Sequence, residues 1–190
     1  PYQISPEDVQ TLHQDVFPFW IQRNFREAVR AKYGNPLCQS IDERFIAYFV
    51  WKSVGISHTI PDFSTVLKKG TGGIIADIRA RLEKGGLNDD QMKTLQAMII
   101  TLEGVNAYSA NLSREASRMA AREKDEARKG ELARLAEICG RIPVQPSRSL
   151  DEAVNLLWIM WVALHMENTN TGLSLGRLDQ LLQPYFEKDM

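Results

Sequence analysis

The chain has 190 residues, of which 44% are apolar and 25% charged. At roughly 150 residues per domain that is one domain, or two small ones, and the composition is that of a globular chain rather than a disordered or fibrous one. Lys and Arg number 23 against 24 Asp and Glu, for a net charge of -1, so no overall positive field draws in phosphate backbones or anionic membranes, and neither nucleic acid nor a membrane is an expected partner. The two cysteines, Cys38 and Cys139, form neither a disulfide framework nor a metal-ligand spacing. That usage points to a reducing, cytoplasmic compartment. Pro1 to Gln14 carries no apolar core behind a basic start, so no secretory leader is expected there.

Ser5, followed by Pro6, Glu7 and Asp8, combines a capping hydroxyl, a first-turn proline and acids at the positive end of the helix dipole. A short helix is predicted from here, interrupted at Phe17-Pro18-Phe19-Trp20. A second stretch should run to Tyr33, where Gly34-Asn35-Pro36 stops it. Ser40 and Glu43 have capping-box spacing ahead of Phe45, Ile46, Phe49, Val50 and Val54, which predicts a helix ending at Gly55. Ile56 to Phe63 reads as a loop, in which Pro61 favours an extended Ile60. Short helices are expected from about Ser64 and from Gly73 to Leu82, with a turn at Gly85-Gly86-Leu87-Asn88.

From Asp89 onward, Met92, Leu95, Met98, Ile99, Leu102, Val105, Tyr108 and Leu112 keep a helical period. At 1.5 Å per residue the helix they predict is on the order of 50 Å long. Gly130 is expected to separate it from an amphipathic helix carrying Leu132, Leu135 and Ile138. Arg122 to Lys129 alternates in sign and reads as a solvated face or turn. Ser149 and Glu152 repeat the capping-box spacing ahead of Ala153 to Leu164, where Asn155 is the only strongly polar residue. A helix apolar all round needs burial on every side, and this run is shorter than the about 20 residues that cross a bilayer. A last helix should start near Arg177. The chain is therefore predicted to be mainly α, without repeats or an alternating strand series.

Gly172-Leu173-Ser174-Leu175-Gly176 matches a hydrolase nucleophile elbow, but a helix and an Asn/Thr-rich turn precede it instead of a strand. His13, His58 and His165 all lie upstream of Ser174, whereas the elbow triad needs a downstream histidine. Lys68-Lys69-Gly70-Thr71-Gly72 lacks the Lys-Ser/Thr pair of a phosphate loop and reads as a flexible helix connection. No H-E-x-x-H or C-x-x-C pair is present, so no metal site is expected. Ser57-His58-Thr59-Ile60-Pro61-Asp62 places an imidazole and a carboxylate on irregular backbone after an apolar helix. His58 and Asp62 can face a cavity there, or can simply cap helix ends. Trp158 and Trp161 read as core rather than as a cofactor platform.

The stretch Ser174-Leu175-Gly176-Arg177-Leu178-Asp179-Gln180, with Pro184-Tyr185-Phe186-Glu187-Lys188-Asp189 after it, resembles the S-x-G-R-x-D-Q segment and aromatic ending of glycyl radical enzymes of the pyruvate formate-lyase family. Gly55-Ile56-Ser57-His58-Thr59-Ile60-Pro61-Asp62-Phe63, Ile138-Cys139-Gly140-Arg141-Ile142-Pro143 and the helix start at Ser149-Leu150-Asp151-Glu152-Ala153 are similar to family landmarks in the same order. The likeness covers nearly the whole chain. The family's catalytic cysteine loop, of G-C-x-E type, and its glycyl radical loop, of R-V-[SA]-G type, are absent from these residues.

The resemblance implies that residues 1–190 are an N-terminal part of a larger α/β-barrel enzyme, a fragment inactive alone and without catalytic residues of its own. In full-length form it implies a lyase or transferase acting on a small organic substrate. A glycyl radical, installed by a radical S-adenosylmethionine activating enzyme, makes a thiyl radical that abstracts hydrogen in C–C cleavage, decarboxylation or dehydration. A cytoplasmic, anaerobic homodimer is the expected context. By the same resemblance His58 and Ser174 are the best candidates for substrate contact, with Asp62 and Arg177 as weaker ones that also fit capping or ion-pair roles. The alternative is a helical interaction module with no chemistry.

Overall fold

The computed structural model describes residues 4–24, 27–28, 31–32, 34–44, 59–167 and 172–190. Among them every regular element is helical and none is a strand. The chain divides into two compact units, Pro1–Ser57 and His58–Met190, each described by itself.

In the first unit α1 (Pro6–Thr11) starts as its sequence predicts. Ser5 Oγ accepts the Asp8 N–H at 3.0 Å, and the Asp8 carboxylate accepts the Ser5 N–H at 3.4 Å. The expected break at Phe17-Pro18-Phe19-Trp20 does not occur. A π-helical turn, Leu12–Val16, leads directly into α2 (Phe17–Trp20), with the Phe17 N–H donating back to Leu12 O. Widening the helix by one residue puts Pro18 in a fresh first turn, where its missing N–H costs nothing.

Asn24 then caps a further turn, its side-chain oxygen accepting the Glu27 N–H at 3.0 Å. The helix expected from Ser40 begins one turn sooner, as α3 (Pro36–Glu43). The Asn35 side chain accepts the Leu37 N–H at 3.0 Å, and Pro36 fills the first helical position. Ser40 therefore lies inside the helix. An Asn-Pro pair one turn upstream outcompetes the Ser40–Glu43 spacing, because proline's fixed φ is already helical. The apolar positions from Phe45 to Val54, and His58 with them, lie outside the described residues.

The second unit begins with α4 (Phe63–Glu83), two helical rods joined at Gly70, where φ is 67° and ψ 169°. Only glycine holds that conformation without strain. A Cβ on Gly70 would lie 2.3 Å from Val144 O, and one on Gly72 would lie 2.8 Å from it. The Thr71 N–H donates to Pro143 O at 2.8 Å and the Gly72 N–H to Val144 O at 3.0 Å. The Thr71 hydroxyl sits between Asn106 Oδ1 and Pro143 O, at 2.6 and 3.1 Å. The joint predicted to be flexible is thus a fixed dock for the 142–144 backbone.

Helix α5 (Asp89–Ala120) has 32 residues and starts at a reciprocal Asn88–Gln91 cap. It packs antiparallel on α6 (Glu126–Arg141). Small hydroxyls let the two backbones approach. Ser113 Oγ donates to Ala136 O at 2.7 Å, and Ser109 Oγ lies 2.9 Å from Cys139 O and 2.8 Å from Ile142 O. Gly130 does not separate these helices, as it sits exposed within α6. The break comes at Ala121 to Asp125, because Asp125 Oδ1 accepts the Arg128 N–H at 2.8 Å and so fixes the start of α6. One exposed glycine, costing about 1 kcal/mol, cannot undo that.

Helix α7 (Leu150–Glu167) is capped by Ser149, whose Oγ accepts the Glu152 N–H at 3.2 Å. Glu152 does not close a capping box. Its carboxylate accepts the Arg148 N–H at 2.7 Å and Arg148 Nη2 at 2.9 Å, and Arg141 Nη1 lies 3.1 Å away. Arg141 also donates to Pro146 O from both terminal nitrogens, each at 2.7 Å. Helix α8 (Leu178–Asp189) runs back along α7. At its far end Asp189 Oδ2 accepts the Leu150 N–H at 2.7 Å, and Lys188 Nζ donates to Arg148 O at 2.7 Å. The core gathers Phe63, Val66 and Leu67 of α4, Ile138 and Cys139 of α6, Ile142, and Ala153, Leu156, Leu157 and Ile159 of α7.

Candidate functional site: two loops beside an apolar groove

Helix α7 is apolar around its circumference, yet its own neighbours cover only part of it. Ala153, Leu156 and Ile159 are buried, whereas Val154 is 47% and Trp158 65% exposed. Trp158 is therefore not core within this chain, while Trp161 packs against the core as expected. A groove of about 190 Å³ opens along this face, lined by Val154, Leu157, Trp158 and Trp161 of α7 with Leu175, Leu178 and Leu182 opposite. His165, one turn beyond Trp161, is committed locally. Its Nδ1 bonds Trp161 O at 2.8 Å, and its ring lies 4.5 Å from the Trp161 ring.

Two loops meet at this end of the unit. The Ser174 N–H donates to Thr59 O at 3.0 Å, and Gly176, at φ 72°, lets its backbone approach Ile60, whose Cγ2 would stand 3.2 Å from a Cβ there. The loop carrying Ser174 is thus bonded to the residue that adjoins His58 in the chain. His58 itself lies outside the described residues. Ser174 is exposed, and its Oγ accepts the Gly176 N–H at 3.2 Å, which holds the hydroxyl in a local turn. Among the described residues the element before this loop is the helix α7 and none is a strand, so no nucleophile-elbow geometry is found among them.

The two weaker candidates have defined structural partners. Asp62 caps α4: its Oδ2 accepts the Thr65 hydroxyl at 2.6 Å and its Oδ1 the Thr65 N–H at 3.1 Å. These bonds hold its carboxyl below the ordinary aspartate value. Arg177 forks onto Asp179, Nε to Oδ1 at 2.9 Å and Nη2 to Oδ2 at 2.6 Å. The guanidinium pulls Asp179 down to about 2. Both side chains are exposed, so the pair orders the start of α8 more than it stabilises the fold. The Ser174–Thr59 bond, which brings the loops together, has no signal in the sequence because it joins irregular backbone far apart in the chain.

Among the described side chains, Cys139 is not a reachable radical carrier. Cys139 is buried at 4% exposure, and burial pushes its thiol up; the Cys38 side chain lies outside the described residues. Among the described residues no group of three His, Cys, Asp or Glu side chains is placed to hold a metal ion, and no helix is long and apolar enough to cross a membrane.

The second unit thus sets two polar loops beside an open apolar groove. The family model for pyruvate formate lyase-like proteins matches residues 1–190, and the chain belongs to that family. The isethionate sulfite-lyase of Nitratidesulfovibrio vulgaris is 30% identical over the whole chain, which covers 24% of that relative. Among solved structures, the glycerol-bound B12-independent glycerol dehydratase from Clostridium butyricum matches 98% of the chain at 28% identity, with a TM-score of 0.78. A glycyl radical enzyme from Archaeoglobus fulgidus matches 98% at 30% identity, with a TM-score of 0.76. The chain covers 24% of each of those two structures, so it spans about a quarter of the length of its relatives.

Proposed function

We propose that this chain is the N-terminal helical section of a glycyl radical enzyme that acts on a small organic substrate, and that its part in the reaction is to bind and shield that substrate. In such an enzyme a protein radical supplies hydrogen abstraction. The described residues do not fit the role of carrying it, and none of them is assigned a radical step. The observation that carries the reading is the Ser174 N–H bond to Thr59 O, which brings the loop after α7 against the residue next to His58. In this reading the imidazole of His58, the residue before Thr59 in the chain, hydrogen-bonds or protonates a leaving hydroxyl, or binds a carboxylate, and Ser174 orients a substrate oxygen. The apolar groove beside the Ser174 loop faces the remainder of the protein and keeps water away, as radical chemistry requires.

The larger α/β barrel, the homodimer, the cytoplasmic and anaerobic setting and the radical S-adenosylmethionine activating enzyme belong to the same proposal, as does the inactivity of this section alone. Relatives that include a sulfite-lyase and a dehydratase support the lyase side of the family for the full-length protein. The test is an anaerobic assay of the full-length protein after activation, with one substrate each for C–S cleavage, C–C cleavage, decarboxylation and dehydration. Turnover of one of these, together with a glycyl radical signal by electron paramagnetic resonance, is the expected result. Absence of the radical from protein incubated with its activating enzyme would overturn the reading in favour of a non-catalytic helical module.

A further inference from the structure

Gly176 stands two residues beyond Ser174, exposed and at φ 72°, in the left-handed region that glycine enters without strain. Its backbone is tied on both sides. Upstream, the Ser174 N–H donates to Thr59 O at 3.0 Å, and the half-buried Leu175 packs against the core. Downstream, the Leu178 N–H donates to Gly176 O at 3.1 Å at the start of α8. With both neighbours held, rotation about the Gly176 N–Cα bond is what lets its N–H point back at Ser174 Oγ, 3.2 Å away, while the chain turns into α8.

That one bond decides what the serine can offer. A hydroxyl has one proton and two lone pairs. The Gly176 N–H occupies a lone pair, which leaves the proton for an oxygen outside the turn, and Ser174 is exposed to such a partner. Donation into the hydroxyl also polarises it, so its own proton becomes the better donor.

Resting on the reading of Ser174 as a substrate contact, we infer that Gly176 is a positioning residue, which holds the Ser174 hydroxyl as a hydrogen-bond donor toward an acceptor oxygen of the substrate. Alanine at φ 72° is strained and rotates toward negative φ, which carries the N–H off Ser174 Oγ. Asparagine tolerates the left-handed region and keeps the bond. The Ile60 methyl that its Cβ would meet, at 3.2 Å, belongs to a side chain of a residue 65% exposed, which can turn aside.

The test is steady-state kinetics of the activated full-length protein on the substrate it turns over in the four-reaction assay, with rates taken per glycyl radical counted by electron paramagnetic resonance. Ser174→Ala should lower kcat/KM about tenfold, the effect of one hydrogen bond. Gly176→Ala should lower it about fivefold, and Gly176→Asn should stay within about twofold of the wild type. Ser174→Ala/Gly176→Ala should be no slower than Ser174→Ala alone, because a group that acts only through Ser174 then has nothing left to position. Full activity in Gly176→Ala, equal losses in the alanine and asparagine variants, or multiplied losses in the double variant would overturn the inference while leaving Ser174 as a contact. Wild-type turnover by Ser174→Ala would remove the substrate contact itself, and the role of Gly176 with it.

Discussion

Replacing Gly70 with alanine probes the joint that fixes the 142–144 backbone beneath α7. The conformation at Gly70, φ 67° and ψ 169°, costs a residue with a Cβ about 2 kcal/mol. The added carbon would also stand 2.3 Å from Val144 O, 2.7 Å from Gln145 C and 2.8 Å from Val144 C, all backbone atoms. Relieving that overlap requires the 143–145 backbone to back away, which lengthens the Thr71 bond to Pro143 O and the Gly72 bond to Val144 O. Two such bonds are worth about 1 kcal/mol each, so the local loss is about 4 kcal/mol in all. Gly85→Ala is the control: its φ of 68° is similar, but nothing lies within 4 Å of its Cβ position, and it should lose only the strain. Hydrogen–deuterium exchange of peptides spanning Thr71 and Gly72 in the full-length protein reads the difference directly. A loss of 4 kcal/mol speeds their exchange about a thousandfold. Unchanged protection of these two amides in Gly70→Ala would refute the docking argument.

His58→Ala in the full-length enzyme is expected to lower kcat about a hundredfold while leaving the melting temperature nearly unchanged; parallel loss of both would assign His58 to structure. Trp158→Ala should cost the full-length protein about 3 kcal/mol in urea denaturation if the groove faces protein, whereas a cost below about 0.5 kcal/mol would mean that Trp158 stays in water. For Glu152, burial raises the carboxyl pKa, but the Arg148 side-chain and backbone bonds and the Arg141 charge outweigh it and leave the group below its usual 4.5. A depressed folded-state pKa stabilises the fold above the unfolded value, and that stability is lost as pH falls through the folded one. The wild type should therefore lose stability below about pH 4.5. Glu152→Gln, which leaves the largely buried Arg141 guanidinium without its carboxylate, should cost about 3 kcal/mol at pH 7 and flatten that acid limb; an unaltered limb would place the acid sensitivity elsewhere.

Much of the helical layout is legible because its signals are local. The Ser5-Pro6 start, the Gly85 to Asn88 turn and the Ser149 cap each satisfy backbone donors within one helical turn, and the structure uses them as written. Where two local signals compete, spacing alone does not decide. Asn35-Pro36 wins over Ser40–Glu43, Asp125 over Gly130, and a π turn removes the break that Pro18 seemed to demand. Trp158 departs from its expected core position for a different reason: an all-apolar helix announces burial but not by what. The site is less legible still. Asp62 and Arg177 meet partners two or three residues away, whereas the contact between the Ser174 loop and Thr59 depends on how α4, α7 and α8 pack, which no periodicity encodes.

The bonds from Asp189 to Leu150 and from Lys188 to Arg148 clamp the open end of the α7–α8 pair. A hairpin held shut at its base cannot slide one arm past the other. Any displacement needed for a molecule to enter or leave must then be absorbed at its tip, by rotations within residues 172–177 and their bond to Thr59. Mobility is thereby concentrated in the few residues that stand nearest the proposed chemistry, on an otherwise stiff lever.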